Sequence, residues 1–217
     1  MQRILQPELL DGLPADHPDA LHNRRDLRLT NRLLGTHRWI ERTLPGLLAK
    51  GEHVLELGAG TGELGRRLAR RGLTVSGLDL WPRPRDWPAG DWHQEDLRRF
   101  DGYDRYPAIL GNLILHQFSD ADLADLGRRL DRDRGPRVIL ACEPVRRRLS
   151  QVLYRTLAPC FGANHVSLHD AHVSIAAGFR GDELPRRLGL EPARWLVRQH
   201  STLLGIYRLV AVRRASR

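Results

Sequence analysis

A glycine-rich turn follows the first strongly apolar strand of the chain. Residues 54–62 read Val-Leu-Glu-Leu-Gly-Ala-Gly-Thr-Gly, so three glycines spaced by two come directly after the strand. Glycine has no Cβ and tolerates positive φ, which lets the backbone of such a turn come into van der Waals contact with a ligand. The sequence therefore predicts a strand, a ligand-binding turn and then a helix.

Length and composition indicate a globular domain. The chain has 217 residues, of which 41% are hydrophobic and 28% charged, and this is enough for one domain with a sizeable core. No stretch approaches the ~18 apolar residues of a membrane span, and the N-terminus lacks the apolar region of a secretory signal. Cys142 and Cys160 form neither a metal-type pair nor a disulfide framework. We therefore expect a protein of the reducing cytoplasm.

The net charge of +9 raises the possibility of a nucleic-acid partner. Almost all of this charge is arginine, since Lys50 is the only lysine, and the arginines are spread along the chain among acidic neighbours. Aromatic residues that would stack on bases do not interleave with them. We therefore do not expect a nucleic-acid partner, while a small-molecule substrate remains compatible with the charge.

Beyond residue 50 the chain alternates between apolar strands and helices. Ser119 is a plausible N-cap for a helix with a leucine stripe. Strands are predicted at 53–57, 73–78, 108–115 and 138–142, helices at 62–71 and 119–130, and an antiparallel pair at 193–199 and 203–212. Continuous apolar strands separated by helices predict a parallel sheet covered on both faces.

Four elements in order resemble one enzyme family. Glu56, Gly58, Gly60 and Gly62 fill the pattern E/D-x-G-x-G-x-G, which resembles the cofactor loop of class I S-adenosylmethionine-dependent methyltransferases. Asp79 ends the second strand, residues 94–97 resemble the family's third motif, and Asn112 ends the fourth strand. Ligands of open α/β sheets bind at these strand ends.

The resemblance covers residues 50–145 and implies an architecture. It implies an α/β three-layer sandwich with a mostly parallel seven-stranded sheet, a C-terminal antiparallel strand pair and helical cap segments. Within a single domain of residues 1–217, the expected parts are an N-terminal helical cap (1–50), a cofactor-binding core (51–143), a substrate cap (144–192) and closing strands (193–217). The helices expected in the first cap span 24–34 and 37–48. The two caps either form a lid over the substrate or merely pack against the sheet.

The resemblance also implies which residues bind S-adenosylmethionine and its product S-adenosylhomocysteine. The turn would wrap the amino acid end, Asp79 would accept from the ribose hydroxyls, and Asp96 would accept from the adenine amino group. The full predicted set is Glu56, Gly58, Ala59, Gly60, Thr61, Gly62, Asp79, Leu80, Asp96, Leu97, Asn112 and Leu113.

A nicotinamide or flavin fold is the rival interpretation. Residues 60–65 match G-x-G-x-x-G, and an acid ends the next strand in that fold too. In the dinucleotide motif, however, the first glycine closes the strand. Here Gly58 closes it, and the matching triplet begins two residues late.

The residues at the end of the fourth strand limit the chemical classes of methyl acceptor. Residues 112–115, Asn-Leu-Ile-Leu, lack the Asn-Pro-Pro-Tyr sequence of enzymes that methylate planar amino groups, and no Pro-Cys nucleophile is present. The run resembles the Asn-x-x-Leu-His-x-Phe of small-molecule methyltransferases, and Glu143 fits the same group as a substrate-side residue. Residues 164–180 resemble segments of bacterial methyltransferases that act on aromatic or polyketide products. The resemblance favours a phenolic oxygen as acceptor.

A base near neutral pKa would help such a nucleophile, and histidine suits that role. The candidates are His116 and His169, the latter oriented by Asp170 or another acid. Each would otherwise be a buried histidine bonded to backbone. Arg28 and Asn31 would share one helix face and point into the site, or else belong to a solvated face.

Three histidines, His165, His169 and His172, have the i, i+4, i+7 spacing that would align metal ligands on a helix. The segment is rich in Val and Ser and lies near a glycine, so the sequence does not favour a regular helix there. We therefore expect no metal site.

Two other functions remain open at this stage. One is a tRNA or rRNA methyltransferase, which only the charge supports. The other is a non-catalytic S-adenosylmethionine-binding protein, because fold does not determine activity. The sequence does not predict the oligomeric state.

Overall fold

The computed structural model describes residues 1–14, 16–88 and 90–215. Seven helices and seven strands are found there, together with short 3-10 turns such as Leu10–Gly12 and Leu115–Gln117. The helices are α1 (Pro18–Leu34), α2 (Thr36–Thr43), α3 (Glu63–Ala69), α4 (Asp120–Leu130), α5 (Arg148–Leu157), α6 (His165–Ala177) and α7 (Glu183–Arg187). The strands are β1 (His53–Leu57), β2 (Thr74–Asp79), β3 (Trp92–Gln94), β4 (Ala108–Asn112), β5 (Val138–Pro144), β6 (Trp195–Ser201) and β7 (Ile206–Arg213).

The seven strands form one sheet in the order β3-β2-β1-β4-β5-β7-β6. The first five are parallel, while β7 runs antiparallel between β5 and β6. The strand order reverses between β1 and β4, so a crevice opens at the carboxyl ends of these strands. The glycine turn follows β1 at that crevice.

Two apolar clusters cover the two faces of the sheet. Alternate residues of β5 illustrate the division, because Ile139 and Ala141 lie in one cluster and Val138, Leu140 and Cys142 in the other. One cluster is completed by leucines of α4, and the other by residues of α2 and α3. The sheet is therefore covered on both faces, which confirms the predicted three-layer architecture.

The helix boundaries follow local signals. Ser119 caps α4 in a capping box, since its hydroxyl accepts from Asp122 N–H and the Asp122 side chain accepts from Ser119 N–H. Pro18 stands in the first turn of α1, and Gly35, with φ 66°, ends that helix. The prediction that this helix starts at residue 24 placed its N-terminus six residues too late.

Two sequence predictions were wrong in detail. The strand predicted at 108–115 ends at Asn112, because Leu113 adopts φ 59° and turns the chain out of the sheet. The segment for which no regular helix was favoured is helix α6, whose N-cap Asn164 accepts from Ser167 N–H. Polar Ser167 and Asp170 lie on the buried face of α6, so its sequence does not show the apolar stripe that normally indicates a helix.

The first twelve residues form an ordered segment, here called the N-terminal strap. Arg3 donates to the carbonyls of His116, Phe118 and Ala177, and its guanidinium lies 4.9 Å from the centre of the Phe179 ring. Ile4 N–H donates to Ala176 O. The strap therefore joins α6 to the loop that follows β4. Within the described ranges, none of the helices combines the length and apolar composition needed to cross a membrane.

Candidate functional site

The turn after β1 has the backbone that its glycines predict. Gly58, Gly60 and Gly62 have φ values of 62°, 52° and 71°. A Cβ on Gly58 would lie 2.7 Å from Ile114, and one on Gly62 would lie 2.8 Å from Trp87. A Cβ on Gly60 would meet only Gly58 O, at 3.9 Å. Gly58 and Gly62 are thus required by packing as well as by φ, whereas Gly60 faces open space.

Asp79, at the end of β2, lies against this turn. Its Oδ2 accepts from Gly60 N–H at 2.7 Å, and its Oδ1 accepts from Trp81 N–H at 2.9 Å. Burial raises the pKa of Asp79, although hydrogen bonds from Trp81, Gly60 and Leu80 N–H oppose that shift. Leu80, the next residue, is 66% exposed. The structure therefore combines a carboxylate with spare acceptor capacity, an exposed apolar side chain and an open glycine turn.

Glu56 is buried beneath the same turn. Its Oε2 has no hydrogen-bond partner among the described residues, and it would lie 3.1 Å from a Cβ on Gly65. Burial, and then the negative charge of Asp79, raise the pKa of Glu56 to about 8. A buried acid with one unpartnered oxygen is costly to ionise, so this position favours the neutral form until a cation approaches.

We expect the Glu56→Gln variant to have a flatter dependence of stability on pH. Between the ordinary pKa of a glutamic acid and about 8, the folded state keeps a proton that the unfolded state has lost, so stability falls as pH rises. The slope approaches roughly 1.4 kcal/mol per pH unit at most. Glutamine carries no charge at any pH, so the variant should exceed the wild type in stability above pH 8.

Urea denaturation at pH 5, 7 and 9 measures this effect. The matched control is Glu95→Gln, because Glu95 is exposed. Parallel stability curves for the wild type and Glu56→Gln would contradict the assignment.

Asn112 and Leu113 form the other wall of the crevice. Asn112 Nδ2 donates to Asn31 Oδ1 at 3.1 Å, and its buried Oδ1 has no partner among the described residues. Asn31 also accepts from Thr36 Oγ1 at 2.7 Å. Helix α1 therefore reaches the end of β4 through Asn31. Arg28 is exposed, and its binding role stays a prediction.

Asp96 and Leu97, from the third predicted motif, follow β3, the strand beside β2 at the edge of the sheet. Asp96 follows β3 and accepts from the Arg98 guanidinium and from Arg98 N–H. The hydrogen bond to Arg98 holds the pKa of Asp96 below its usual value. Leu97 is buried, and its carbonyl accepts from Tyr103 Oη at 2.8 Å. Arg98 already binds the carboxylate that the sequence analysis assigned to adenine.

His116 lies between two carboxylates in the loop after β4. Its Nδ1 is 2.7 Å from Glu143 Oε2, and its Nε2 is 3.3 Å from Glu8 Oε1 of the N-terminal strap. Burial alone would lower the pKa of His116, but the bonds to both acids raise it to about 9. Both ring nitrogens are occupied and the ring is charged at neutral pH. This geometry does not favour His116 as a general base.

Glu143 is fully buried, and both of its oxygens are used. They accept from Ile114, Leu115 and His116 N–H at 3.2, 2.9 and 3.2 Å, in addition to the His116 ring. The prediction that Glu143 binds substrate does not fit this arrangement, because no surface of the side chain remains free. It holds the loop that carries His116.

Asp170 anchors the N-terminal strap to α6. Its oxygens accept from Leu9 N–H at 2.7 Å and Leu10 N–H at 3.2 Å. His169 Nδ1 lies 3.2 Å from Asp170 Oδ1, and the His169 side chain is 43% exposed, while the role of this pair as a base stays a prediction. Asp170 therefore positions the turn Leu10–Gly12 as well as His169.

Asp11 lies in that turn and was missed by the sequence analysis. Asp11 is an exposed residue, and partial desolvation of its carboxyl, followed by the charges of Glu8 and Asp170, raises its pKa to about 6. The charges of His116 and Asp79 also act on it. Asp11 is thus an acid of near-neutral pKa in the turn that Asp170 anchors. No sequence signal marks it, because the strap has no periodic pattern.

The three histidines of α6 do not form a metal site. Across residues 1–14, 16–88 and 90–215, no three His, Cys, Asp or Glu side chains come together in a way that would hold a metal ion. His165, His169 and His172 are all exposed on the solvent side of α6.

Helix α1 closes over the end of β2 through a second residue that the sequence analysis did not select. The Arg24 guanidinium lies 4.5 Å from the centre of the Trp81 ring, and the charge of Asp79 acts on it. Arg24 and Asn31 are seven positions apart and therefore lie on one line of the helix. Together they fix α1 across the crevice.

This set of acceptors fits a ligand that carries hydroxyl and ammonium donors. Glu56 Oε2 and Asn112 Oδ1 are buried acceptors without partners in the described part of the chain, and Asp79 has further acceptor capacity beside open space at Gly60. A ribose diol and an amino acid ammonium supply the donors that these oxygens need. The arrangement therefore fits the nucleoside amino acid that the resemblance implies.

Comparison with known proteins supports the fold. No protein-family model and no curated protein sequence matches the chain. The plantazolicin methyltransferase BpumL, solved with a pentazolic desmethylPZN analogue and SAH, is similar at 10% identity over 95% of this chain and 93% of its own, with a TM-score of 0.71. Magnesium protoporphyrin IX methyltransferase (ChlM) from Synechocystis PCC 6803, solved with SAH, is similar at 16% identity. The match covers 95% of this chain and 91% of that one, with a TM-score of 0.52. The methyltransferase domain of a bacterial Hen1 is similar at 15% identity over 85% of this chain and 99% of its own, with a TM-score of 0.54.

Proposed function

We propose that this chain, which has the class I fold of S-adenosylmethionine-dependent methyltransferases, transfers a methyl group to a small molecule. The observation that carries the proposal is the contact between the open glycine turn and Asp79 at the reversal of strand order. The antiparallel β7 between β5 and β6 also supports it, because the dinucleotide fold continues with parallel strands there.

The residues that would hold the cofactor surround this contact. Asp79 would accept from the ribose hydroxyls, Glu56 would face the ammonium, and Leu80 would pack against the adenine. Gly58, Ala59, Gly60, Thr61 and Gly62 would line the turn, with Asn112 and Leu113 opposite and Asp96 and Leu97 at the adenine end. When bound, S-adenosylmethionine supplies a methyl group on a sulfonium sulfur.

The N-terminal strap and α1 would close the acceptor side. This side carries three acids, Glu8, Asp11 and Asp170, and burial, followed by the charges of the other two, raises the pKa of Asp11. A polyanionic acceptor such as RNA would be repelled by them, whereas a neutral or cationic acceptor with a proton to lose would not. BpumL and ChlM are named for plantazolicin and magnesium protoporphyrin IX, neither of which is a nucleic acid. A phenolic oxygen remains the favoured acceptor on the family resemblance.

Asp11 is one candidate for the base in this chemistry. A carboxylate with a pKa of about 6 is largely ionised at neutral pH and still accepts a proton effectively. His169 is the second candidate, since it is half exposed beside Asp170. Methyl transfer is an in-line displacement, so the strap would also orient the acceptor, which supplies much of the rate in such reactions.

We expect Asp11→Asn to lower turnover roughly 10²-fold or more, the usual contribution of a general base, while S-adenosylhomocysteine affinity changes less than about threefold. The rate of the wild type should rise with pH through about 6, and that rise should be absent in the variant. The control is Asp16→Asn, an exposed acid nearby. An unchanged pH profile in Asp11→Asn would assign the base elsewhere, and His169→Ala would then be measured.

Titration calorimetry with S-adenosylhomocysteine tests the proposal as a whole. We expect binding with one site per chain and a rise in melting temperature of several degrees at saturating ligand, with no rise for NADH. Transfer of labelled methyl from S-adenosylmethionine to a panel of phenols and amines then separates an enzyme from a non-catalytic binding protein. No heat with S-adenosylhomocysteine on folded protein would overturn the proposal.

A further inference from the structure

Helix α5 turns its polar side toward the rest of the protein. Ser150, Gln151 and Tyr154 are half-buried, Gln151 Nε2 donates to His172 O at 3.1 Å, and Tyr154 bonds to Thr30 of α1. No residue of α5 is fully buried. An amphipathic helix on a globular protein normally packs with the opposite orientation.

The outward side of α5 is apolar. Its exposed residues Leu149, Val152 and Leu153 follow the i, i+3, i+4 spacing of one helix face, and Leu157 continues it. The turn between β6 and β7 extends this surface, because a Cβ on Gly205 would lie 2.9 Å from Ser150 Oγ. Leu203 in that turn is 99% exposed. We call this surface the α5 face; it comprises Leu149, Val152, Leu153, Leu157, Phe161, Leu203 and Leu204.

Positive charge surrounds the α5 face. Arg147, Arg148 and Arg155 are exposed, and no aspartate or glutamate occurs from residue 144 to residue 169. Arg148 and Arg155 are seven positions apart, so they lie on one line along the helix beside the apolar stripe. A second copy of the chain on this face would bring the same arginines against these ones, and like charges oppose such pairing.

We propose that the α5 face binds the surface of a lipid bilayer that contains anionic phospholipids. A basic helix with one apolar face lies in the plane of a bilayer, with its apolar residues among the acyl chains and its arginines at the headgroups. Such a surface also explains an apolar patch that solvent would otherwise disfavour. The binding is peripheral and needs no spanning helix.

Sedimentation of the full chain with vesicles tests this proposal. We expect binding to phosphatidylcholine vesicles that contain about 30% phosphatidylglycerol, weaker binding to pure phosphatidylcholine, and loss of most binding as NaCl is raised from about 0.1 M to about 0.5 M. Leu149→Ser with Leu153→Ser should lower partitioning at least about tenfold, because both leucines would leave the acyl region. Arg148→Gln with Arg155→Gln should lower it by roughly fivefold per arginine on anionic vesicles.

Matched variants elsewhere provide the controls. Leu21 and Leu33 of α1 are 53% and 55% exposed, so Leu21→Ser with Leu33→Ser should leave partitioning unchanged. Arg38→Gln with Arg42→Gln, on α2, serves in the same way for charge. Far-ultraviolet circular dichroism establishes that each variant is folded.

The proposal is overturned if the wild type does not bind anionic vesicles, or if the α5-face variants bind as well as the wild type. Light scattering after size exclusion gives a third outcome. A stable dimer that Leu149→Ser with Leu153→Ser dissociates would make the α5 face an interface between copies instead.

Discussion

Asp79→Asn is expected to lose S-adenosylhomocysteine affinity by roughly 10²- to 10⁴-fold, since it would weaken two hydrogen bonds to a charged acceptor worth about 1.5–3 kcal/mol each. The carboxylate has a second function, because it holds Gly60 N–H at 2.7 Å and so fixes the open turn. An amide offers one acceptor where the carboxylate offers two, so Gly60 and Trp81 can no longer both be satisfied.

Protein stability should change far less than affinity. Burial raises the pKa of Asp79, which means that its charge is disfavoured in the folded protein, and the neutral amide removes this cost. The control is Asp101→Asn, whose side chain is 67% exposed and pairs with Arg132. Calorimetry and thermal melting on the same samples separate the two effects. If affinity survives in Asp79→Asn, the ligand does not contact the end of β2.

The sheet and the glycine turn were predictable because their signals are local. Near-continuous apolar runs at 108–115 and 138–142 predict buried parallel strands, and glycines at 58, 60 and 62 predict positive φ at a turn. Asp79 was predictable because parallel strands place their carboxyl ends at one edge of the sheet. Each inference needs only neighbouring residues and the geometry of one fold.

The acceptor side was not predictable because its contacts join distant parts of the chain. Glu8 meets His116 at a separation of 108 residues, and Leu9 meets Asp170 at 161. No periodic pattern in residues 1–12 marks them as a strap. His116 therefore looked like a base in the sequence, whereas two carboxylates in the structure hold it as a cation.

Glu143→Ala is expected to destabilise the protein by about 3–5 kcal/mol, the usual result of removing one member of a buried ion pair. The substitution leaves the charged His116 ring beside a cavity and removes the acceptor for three backbone N–H groups, from Ile114 to His116. For a chain of this length the melting temperature should fall by roughly 6–20 °C. Glu191→Ala, at an exposed position, should remain within about 0.5 kcal/mol of the wild type.

The pH dependence distinguishes this ion pair from simple packing. The pKa of His116 is raised to about 9 in the folded protein, so its contribution is complete below the ordinary histidine pKa and is lost as pH rises through 9. The stability difference between wild type and Glu143→Ala should therefore narrow between pH 6.5 and pH 10, as measured by urea denaturation at each pH. A difference that stays constant over this range would mean that Glu143 acts only through the backbone N–H groups. In that case His116 would be neutral at physiological pH, and its role as a base would have to be considered again.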